Sequence, residues 1–266
     1  MKIRLDKVLV ERGLAASRER AQALILAGRV LVSEQKVDKP GAQVAEDAEI
    51  RLLGEDLRYV SRGGLKLERA LATPASEGHS PGAPAERWAI DVNGMVCADI
   101  GASTGGFTDC MLQHGAVSVV AVDTGFGQMA HKLRVDSRVK LMERKNARLL
   151  EPGELLRMSG ERIGFFAMDV SFISAALALP AVVRALADEG ERWRGEAVVL
   201  VKPQFEAGRE YVGKGGIVRD AAGWELAVKR VSEAVRELKG EVVAVMESPI
   251  LGMEGNREFL MWARWS

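Results

Sequence analysis

The sequence predicts an α/β fold: a doubly wound, mostly parallel sheet preceded by a small α+β unit. Three observations carry that expectation. From residue 96 onward, short apolar runs alternate with helical periodicity, the mark of βα units. Two strand-like runs with no helix between them, Glu241–Glu247 and Glu258–Trp265, finish the chain and imply a closing antiparallel hairpin. The first 56 residues read differently, as two short helices and then short strands. A chain of 266 residues suits a domain of roughly 200 residues plus a smaller one. We therefore expect an N-terminal unit at 1–56, a linker at 57–60 and the main domain at 61–266.

In the first unit, Leu5, Val8, Leu9 and Arg12 lie at helical spacing, and Gly13 ends that helix. Ser17 caps a second helix with Ala21, Leu24 and Ile25 on its apolar face, and Gly28 stops it. Arg18 and Arg20 occupy its first turn, where the helix dipole disfavours cations, so an anionic ligand is implied. Val30–Val32, the S-E-Q-K turn and Val37 read as a hairpin, and E-I-R-L-L at 49–53 returns as a strand. Lys and Arg equal Asp and Glu at 37 each overall, so net charge points to no partner. The first forty residues instead hold nine basic and five acidic residues.

L-R-Y-V at 57–60 reads as a linker, and S-R-G-G-L-K-L-E-R-A-L at 61–71 as an amphipathic helix. The segment 73–85 holds three prolines and reads as a loop, with His79 exposed and without a companion at ligand spacing. Further strands are expected at Val117–Asp123, Val139–Glu143, Phe165–Asp169 and Ala197–Lys202, with helices at Ser174–Glu189 and Asp220–Lys239. Cys97 and Cys110 read as reduced core residues, and no metal is expected. There is no run of 18 apolar residues and no signal-peptide pattern, so we expect a cytoplasmic protein with no membrane partner.

Chemistry concentrates in V-C-A-D-I-G-A-S-T-G-G-F-T-D at 96–109. A buried strand interrupted by Asp99 runs into Gly101, Gly105 and Gly106, and a helix follows over Phe107–His114. Such a turn lets backbone approach a ligand and points free N–H groups at it. A phosphate loop would need Lys-Ser or Lys-Thr after its last glycine, but Phe107-Thr108 stands there. The spacing is G-x-x-x-G-G, whereas the dinucleotide fingerprint is G-x-G-x-x-G. Asp123, 24 residues after Asp99, can hold both hydroxyls of a ribose. Together these favour S-adenosylmethionine over NAD, and the architecture of a Rossmann-like class I methyltransferase sheet. Ligands there bind beyond the carboxyl ends of the strands, where Asp99, Asp123, Asn146, Asp169 and Lys202 fall.

The acceptor can be narrowed too. Methyltransferases acting on exocyclic amines resemble (N/D)-P-P-(Y/F) after the fourth strand, but this chain has Asp169-Val170-Ser171-Phe172. Neither cysteine lies at a strand end fit for a nucleophile. An alcohol acceptor needs a base or an electrostatic pull, which lysines with carboxylates supply.

Two resemblances sharpen this reading. Residues 3–50, from R-L-D-K-V-L-V-E-R-G-L through S-R-E-R-A-Q to V-D-K-P, resemble the ribosomal protein S-four type RNA-binding domain. That implies docking on structured RNA, with Arg4, Lys7, Arg12, Arg18, Arg20, Arg29 and Lys36 as contacts, joined by Arg62 beyond the linker. Along the whole chain, S-R-G-G-L-K-L, D-I-G-A-S-T-G-G-F-T, A-M-D-V-S-F-I-S, V-K-P-Q-F-E and G-N-R-E-F-L resemble the TlyA family of ribosomal RNA 2′-O-methyltransferases, relatives of the FtsJ type. The resemblance implies a catalytic set of Lys66, Asp169, Lys202 and Glu258. Glu247 in M-E-S-P competes for the last place, but the N-R-E-F context favours Glu258. It also implies that S-adenosylmethionine is bound by Asp99, Gly101, Ala102, Ser103, Thr104, Gly105, Gly106, Phe107, Thr108, Asp123, Asn146 and Asp169. The linker departs from the usual R-A-W-(V/S), with Tyr59 near the Trp place.

The implied activity is ribose 2′-O-methylation of ribosomal RNA on ribosomal subunits, at a cytidine of large-subunit RNA, with small-subunit RNA as a second candidate. The short ends resemble the subgroup acting on large-subunit RNA alone. Rival expectations are a non-catalytic RNA-binding assembly factor and a pore-forming haemolysin, a name the family sometimes carries.

Overall fold

The computed structural model describes residues 2–15, 17–53, 58–71, 88, 90–252 and 255–266. The proline-bearing segment 73–85 with His79 lies outside the described residues, as does Leu57 of the linker. The chain divides into two compact units, Met1–Leu57 and Arg58–Ser266.

The first unit holds β1 (Lys2–Arg4), α1 (Leu5–Glu11), α2 (Arg18–Leu26), β2 (Val30–Val32), β3 (Gln35–Lys36), β4 (Gln43–Ala45) and β5 (Ile50–Leu52). Leu5, Val8, Leu9, Ala21, Leu24 and Ile25 bury the facing sides of the two helices. Ser17 caps α2 by accepting the Arg20 N–H at 3.2 Å. β2 sits between β3 and β5, and β1 pairs antiparallel with β4. The β2–β3 hairpin turns on Ser33 and Glu34, both with positive φ, the geometry of a two-residue type I′ turn. Arg51 of β5 grips Glu34 through two hydrogen bonds, 2.8 and 2.5 Å, and so fastens a turn that neither residue favours intrinsically.

The second unit contains α3 (Gly63–Glu68), β6 (Val96–Ile100), α4 (Gly106–Gln113), β7 (Ser118–Val122), α5 (His131–Arg134), β8 (Val139–Met142), α6 (Glu154–Ser159) and β9 (Ile163–Met168). α7 (Ala175–Ala185), β10 (Gly195–Val201), α8 (Pro203–Glu206), α9 (Ala221–Glu237), β11 (Glu241–Glu247) and β12 (Phe259–Trp265) follow. Seven strands form one sheet in the order β11-β12-β10-β9-β6-β7-β8. β12 runs antiparallel to both neighbours, and the other pairings are parallel. The strands around β6 and β9 are buried on both faces, which is why they read as continuous apolar runs.

Two particulars go beyond the sequence reading. The last strand does not merely extend the edge; β12 inserts between β10 and β11. The helix expected over Ser174–Glu189 stops at Ala185. From β6 the chain winds one way to β7 and β8, then returns to place β9 on the other side of β6. The crevice beyond the carboxyl ends of β6 and β9 is therefore the topological switch point.

Candidate functional site

β6 delivers the chain into a turn with three positive φ angles, at Gly101 (91°), Ser103 (47°) and Gly105 (94°). A Cβ at Gly101 would run into the Asp169 carbonyl oxygen, and one at Gly106 into Ser61 Oγ, so only glycine lets these segments approach. Asp99 is fully buried in β6; its Oδ2 accepts the Thr108 N–H at 2.8 Å and the Thr108 hydroxyl at 2.6 Å, fixing the first turn of α4. Its Oδ1 is buried with no hydrogen-bond partner. Burial pushes the Asp99 carboxyl up to about 7, against the pull of the Thr108 bonds.

Asp123, just past β7, accepts the Ser103 N–H at 2.8 Å and the Gly125 N–H at 2.6 Å, bracing the turn from the side. Asn146, exposed beyond β8, accepts the Arg148 N–H at 3.0 Å and caps the short turn over Ala147–Leu149.

A cavity of about 590 Å³ opens at the switch point. Of the expected cofactor residues, Gly101, Ala102, Ser103, Thr104, Gly106, Phe107 and Asp169 line it. Asp99, Gly105, Thr108, Asp123 and Asn146 do not; Asp99, Asp123 and Asn146 each accept backbone N–H groups instead, although Asp99 Oδ1 keeps no partner. The glycine-lined wall and the open volume fit an adenosyl ligand lying over the β6 turn.

Four charged side chains converge on the same cavity. Lys66 from α3 places Nζ 2.5 Å from Glu258 Oε2 and 4.0 Å from Asp169 Oδ2. Lys202, at the end of β10, places Nζ 2.5 Å from Asp169 Oδ1 and donates to Ser171 Oγ at 2.6 Å. Lys66, Lys202 and Glu258 are buried, and all four line the cavity. Glu247, the competing carboxylate, is half exposed at 3.6 Å from Arg257 Nε and takes no part. Cys97 and Cys110 are buried free thiols, and burial raises their pKa values, so neither offers a thiolate.

Sequence reasoning missed the side chains that hold this arrangement. Ser171 accepts a hydrogen bond from Lys202. Glu206, buried, accepts the Ser174 hydroxyl at 2.7 Å and the Ala175 N–H at 2.5 Å, tying the Lys202 segment to the loop that carries Asp169. Asn256, buried, accepts the Val218 N–H and donates to the Gly216 carbonyl, both at 3.0 Å, just ahead of Glu258. Glu206 and Asn256 are buried and Ser171 is exposed, and lying within a few positions of a charged residue is the only sequence signal any of them gives.

At the mouth stand Arg62 and Phe172. Phe172 is 92% exposed with φ +64°, and its ring centroid lies 6.0 Å from that of Phe205. In the first unit, Arg4 and Arg18 meet Asp6, whereas Arg12 donates to the Ala48 and Glu46 carbonyls and Arg29 to that of Leu53. Lys7 lies 3.4 Å from Glu11, Lys36 packs across Gly28, and Arg20 is half-buried. Among the described residues no acidic, cysteine and histidine cluster could hold a metal ion. No helix among them is long and apolar enough to cross a membrane.

Strand order, glycine turn and charged cavity define an α/β methyltransferase. The FtsJ-like methyltransferase model matches residues 59–265, and the S4 domain model matches residues 3–50. This chain belongs to the FtsJ-like methyltransferase family. It is 45% identical over 265 residues to the Bacillus subtilis protein "Putative rRNA methyltransferase YqxC", covering 99% of this chain and 86% of that one. It is 41% identical over 262 residues to the Mycobacterium tuberculosis "16S/23S rRNA (cytidine-2'-O)-methyltransferase TlyA", covering 98% and 89%. The solved structure "Putative hemolysin from Streptococcus thermophilus" superimposes with a TM-score of 0.68 at 43% identity, covering 100% of this chain and 89% of that one.

Proposed function

We propose that this chain methylates a ribose 2′-hydroxyl of ribosomal RNA, with S-adenosylmethionine as donor. The observation that carries the reading is the meeting of Lys66, Asp169, Lys202 and Glu258 in one cavity beside the glycine turn. S-adenosylmethionine supplies, when bound, a sulfonium methyl open to attack by an oxygen nucleophile. Gly101, Ala102, Ser103, Thr104, Gly106, Phe107 and Asp169 hold it, Asp99, Thr108 and Asp123 keep that cradle in shape, and Asn146 caps the turn beyond β8. Lys202 meets, as an ammonium, the negative charge that develops on oxygen, or it first passes a proton to Asp169 and then takes the ribose proton as a neutral amine. Asp169 and Ser171 orient its ammonium, and Lys66, anchored by Glu258, positions the ribose. Phe172, held out in solvent at the mouth, is suited to stacking on an unpaired base.

Every nucleotide carries a 2′-hydroxyl, so the reacting group alone cannot choose a site. RNA shape read elsewhere must do so, and the S4 domain with Arg4, Lys7, Arg12, Arg18, Arg20, Arg29 and Lys36 is our candidate reader, with Arg62 at the cavity mouth. The Mycobacterium tuberculosis relative, named for a cytidine of 16S and 23S rRNA, leads us to a cytidine, in large-subunit RNA first and small-subunit RNA second.

The test is methylation of purified ribosomal subunits with labelled cofactor, followed by mapping of 2′-O-methyl positions. Incorporation at a discrete ribose is expected. Label on a base, or none despite cofactor binding in calorimetry, would overturn the reading.

A further inference from the structure

Away from the cavity, the densest knot of charge lies in the first unit around Asp6. Its side chain is fully buried, yet it accepts four hydrogen bonds. Arg4 donates Nε to Oδ1 at 3.0 Å and Nη2 to Oδ2 at 2.8 Å. Arg18 donates Nε to Oδ2 at 3.1 Å, and Gln22 donates Nε2 to the same oxygen at 3.0 Å. The Arg4 fork, above all, holds the Asp6 carboxyl well below the usual carboxylate range, so it is ionised in the folded chain at neutral pH.

A guanidinium has five N–H donors. Arg4 gives two of them to Asp6 and Arg18 gives one, and these side chains stay 44% and 56% exposed. One carboxylate thus gathers two cations from β1 and α2, leaves a net positive charge, and leaves most of their donors uncommitted to it. The other basic side chains of the unit are placed differently: Arg12 and Arg29 spend donors on backbone carbonyls, and Lys7 pairs with Glu11 along its own helix.

We propose that Asp6 is a positioning residue that sets Arg4 and Arg18 as a single clamp for one phosphodiester of the bound RNA. The proposal rests on the RNA-binding reading above and says which of its cations act together. Two free guanidiniums repel each other and sample many rotamers. A shared carboxylate offsets one charge and fixes both forks before the phosphate arrives, so less freedom is lost on binding.

A clamp and simple attraction predict opposite outcomes. Removing a negative charge from a surface that binds a polyanion tightens binding if only net charge matters. The clamp demands the reverse. The full chain, as wild type, Asp6→Asn, Arg18→Gln, Arg18→Lys and the Asp6→Asn/Arg18→Gln double, is titrated against purified large ribosomal subunits over a series of salt concentrations. Asp6→Asn and Arg18→Gln should each weaken binding about five- to tenfold. The slope of log affinity on log salt should shrink by about 0.7–0.9 for each phosphate that the variant no longer neutralises. The double variant should lose little more than either single one, since Asp6 acts through the arginines.

Arg18→Lys, at a half-exposed position, keeps the charge without the fork and should also lose affinity, which keeps the test valid if Asp6→Asn proves unstable in thermal unfolding. Unchanged or tighter binding by folded Asp6→Asn, additive losses in the double, or wild-type affinity in Arg18→Lys would overturn the clamp while RNA binding stands. A wild-type chain without salt-dependent affinity for subunits would overturn both.

Discussion

The two charged clusters of this molecule follow opposite arithmetic. In the cavity, two ammonium groups face two carboxylates at 2.5–4.0 Å, and the four charges cancel. Around Asp6, one carboxylate holds two guanidiniums, and the surplus stays half in solvent. Balance suits a recessed place, where an uncompensated charge is costly to desolvate. Surplus suits a surface that receives a polyanion from water. The difference sets the scale of what breaking each cluster should do: large losses where a partner is left buried and alone, moderate ones where water can take its place.

The hardest blow to the balanced cluster is Lys202→Ala. It removes the ammonium between Asp169 and Ser171, and methyl transfer to subunits should fall by about 10²–10⁴-fold. Calorimetry should show cofactor affinity little changed, because Lys202 is outside the glycine turn. Near-wild-type turnover by a folded variant would remove Lys202 from the mechanism.

Glu258→Ala probes the same balance through stability. Lys66 then loses its nearest partner while 10% exposed, and breaking a buried pair from one side costs about 3–5 kcal/mol. Urea unfolding should show a loss of that order, with Glu258→Gln losing less because the amide still accepts a hydrogen bond. Equal stability of all three proteins would mean the pair is solvated in practice.

A third prediction concerns pH. The folded Asp99 carboxyl, raised by burial from 3.8 to about 7, keeps a proton that the unfolded chain has already released in that interval. Stability therefore falls as pH rises between these values, by up to ~4 kcal/mol, and is flat on either side. Asp99→Asn has nothing to ionise there, so its share of the slope should vanish when urea midpoints are compared across pH. An identical slope in the variant would show that other groups produce it.

What the sequence made legible divides along the same line between local and distant information. The strands flanking the switch point were readable because burial on both faces leaves an unbroken apolar run in each. The glycine turn was readable because backbone geometry demands glycine at fixed spacing. The insertion of β12 between β10 and β11 was not, since both hairpin partners look alike whichever neighbours β10. β1 and β4 were missed because three residues are too few to show alternation. The convergence of Lys66 with Glu258, 192 residues apart, came from a family resemblance and not from any local pattern. Ser171, Glu206 and Asn256 were invisible for a related reason: their importance lies in partners on other segments.

The smallest expected effect is also the sharpest check on how the carboxylates were assigned. Glu247 and Glu258 lie eleven residues apart, each at an end of a strand in the same hairpin, and both were candidates from sequence. The fold separates them. Glu258 is 2% exposed and bonded to Lys66, while Glu247 is 49% exposed and sits at 3.6 Å from Arg257. An exposed pair of that kind contributes about 0–1 kcal/mol. Glu247→Gln should therefore leave methylation within about twofold and the urea midpoint almost unmoved. If instead Glu247→Gln abolishes transfer and Glu258→Gln does not, the balanced cluster in the cavity is a structural brace, and the reacting oxygen must be served from the exposed side of this end of the hairpin.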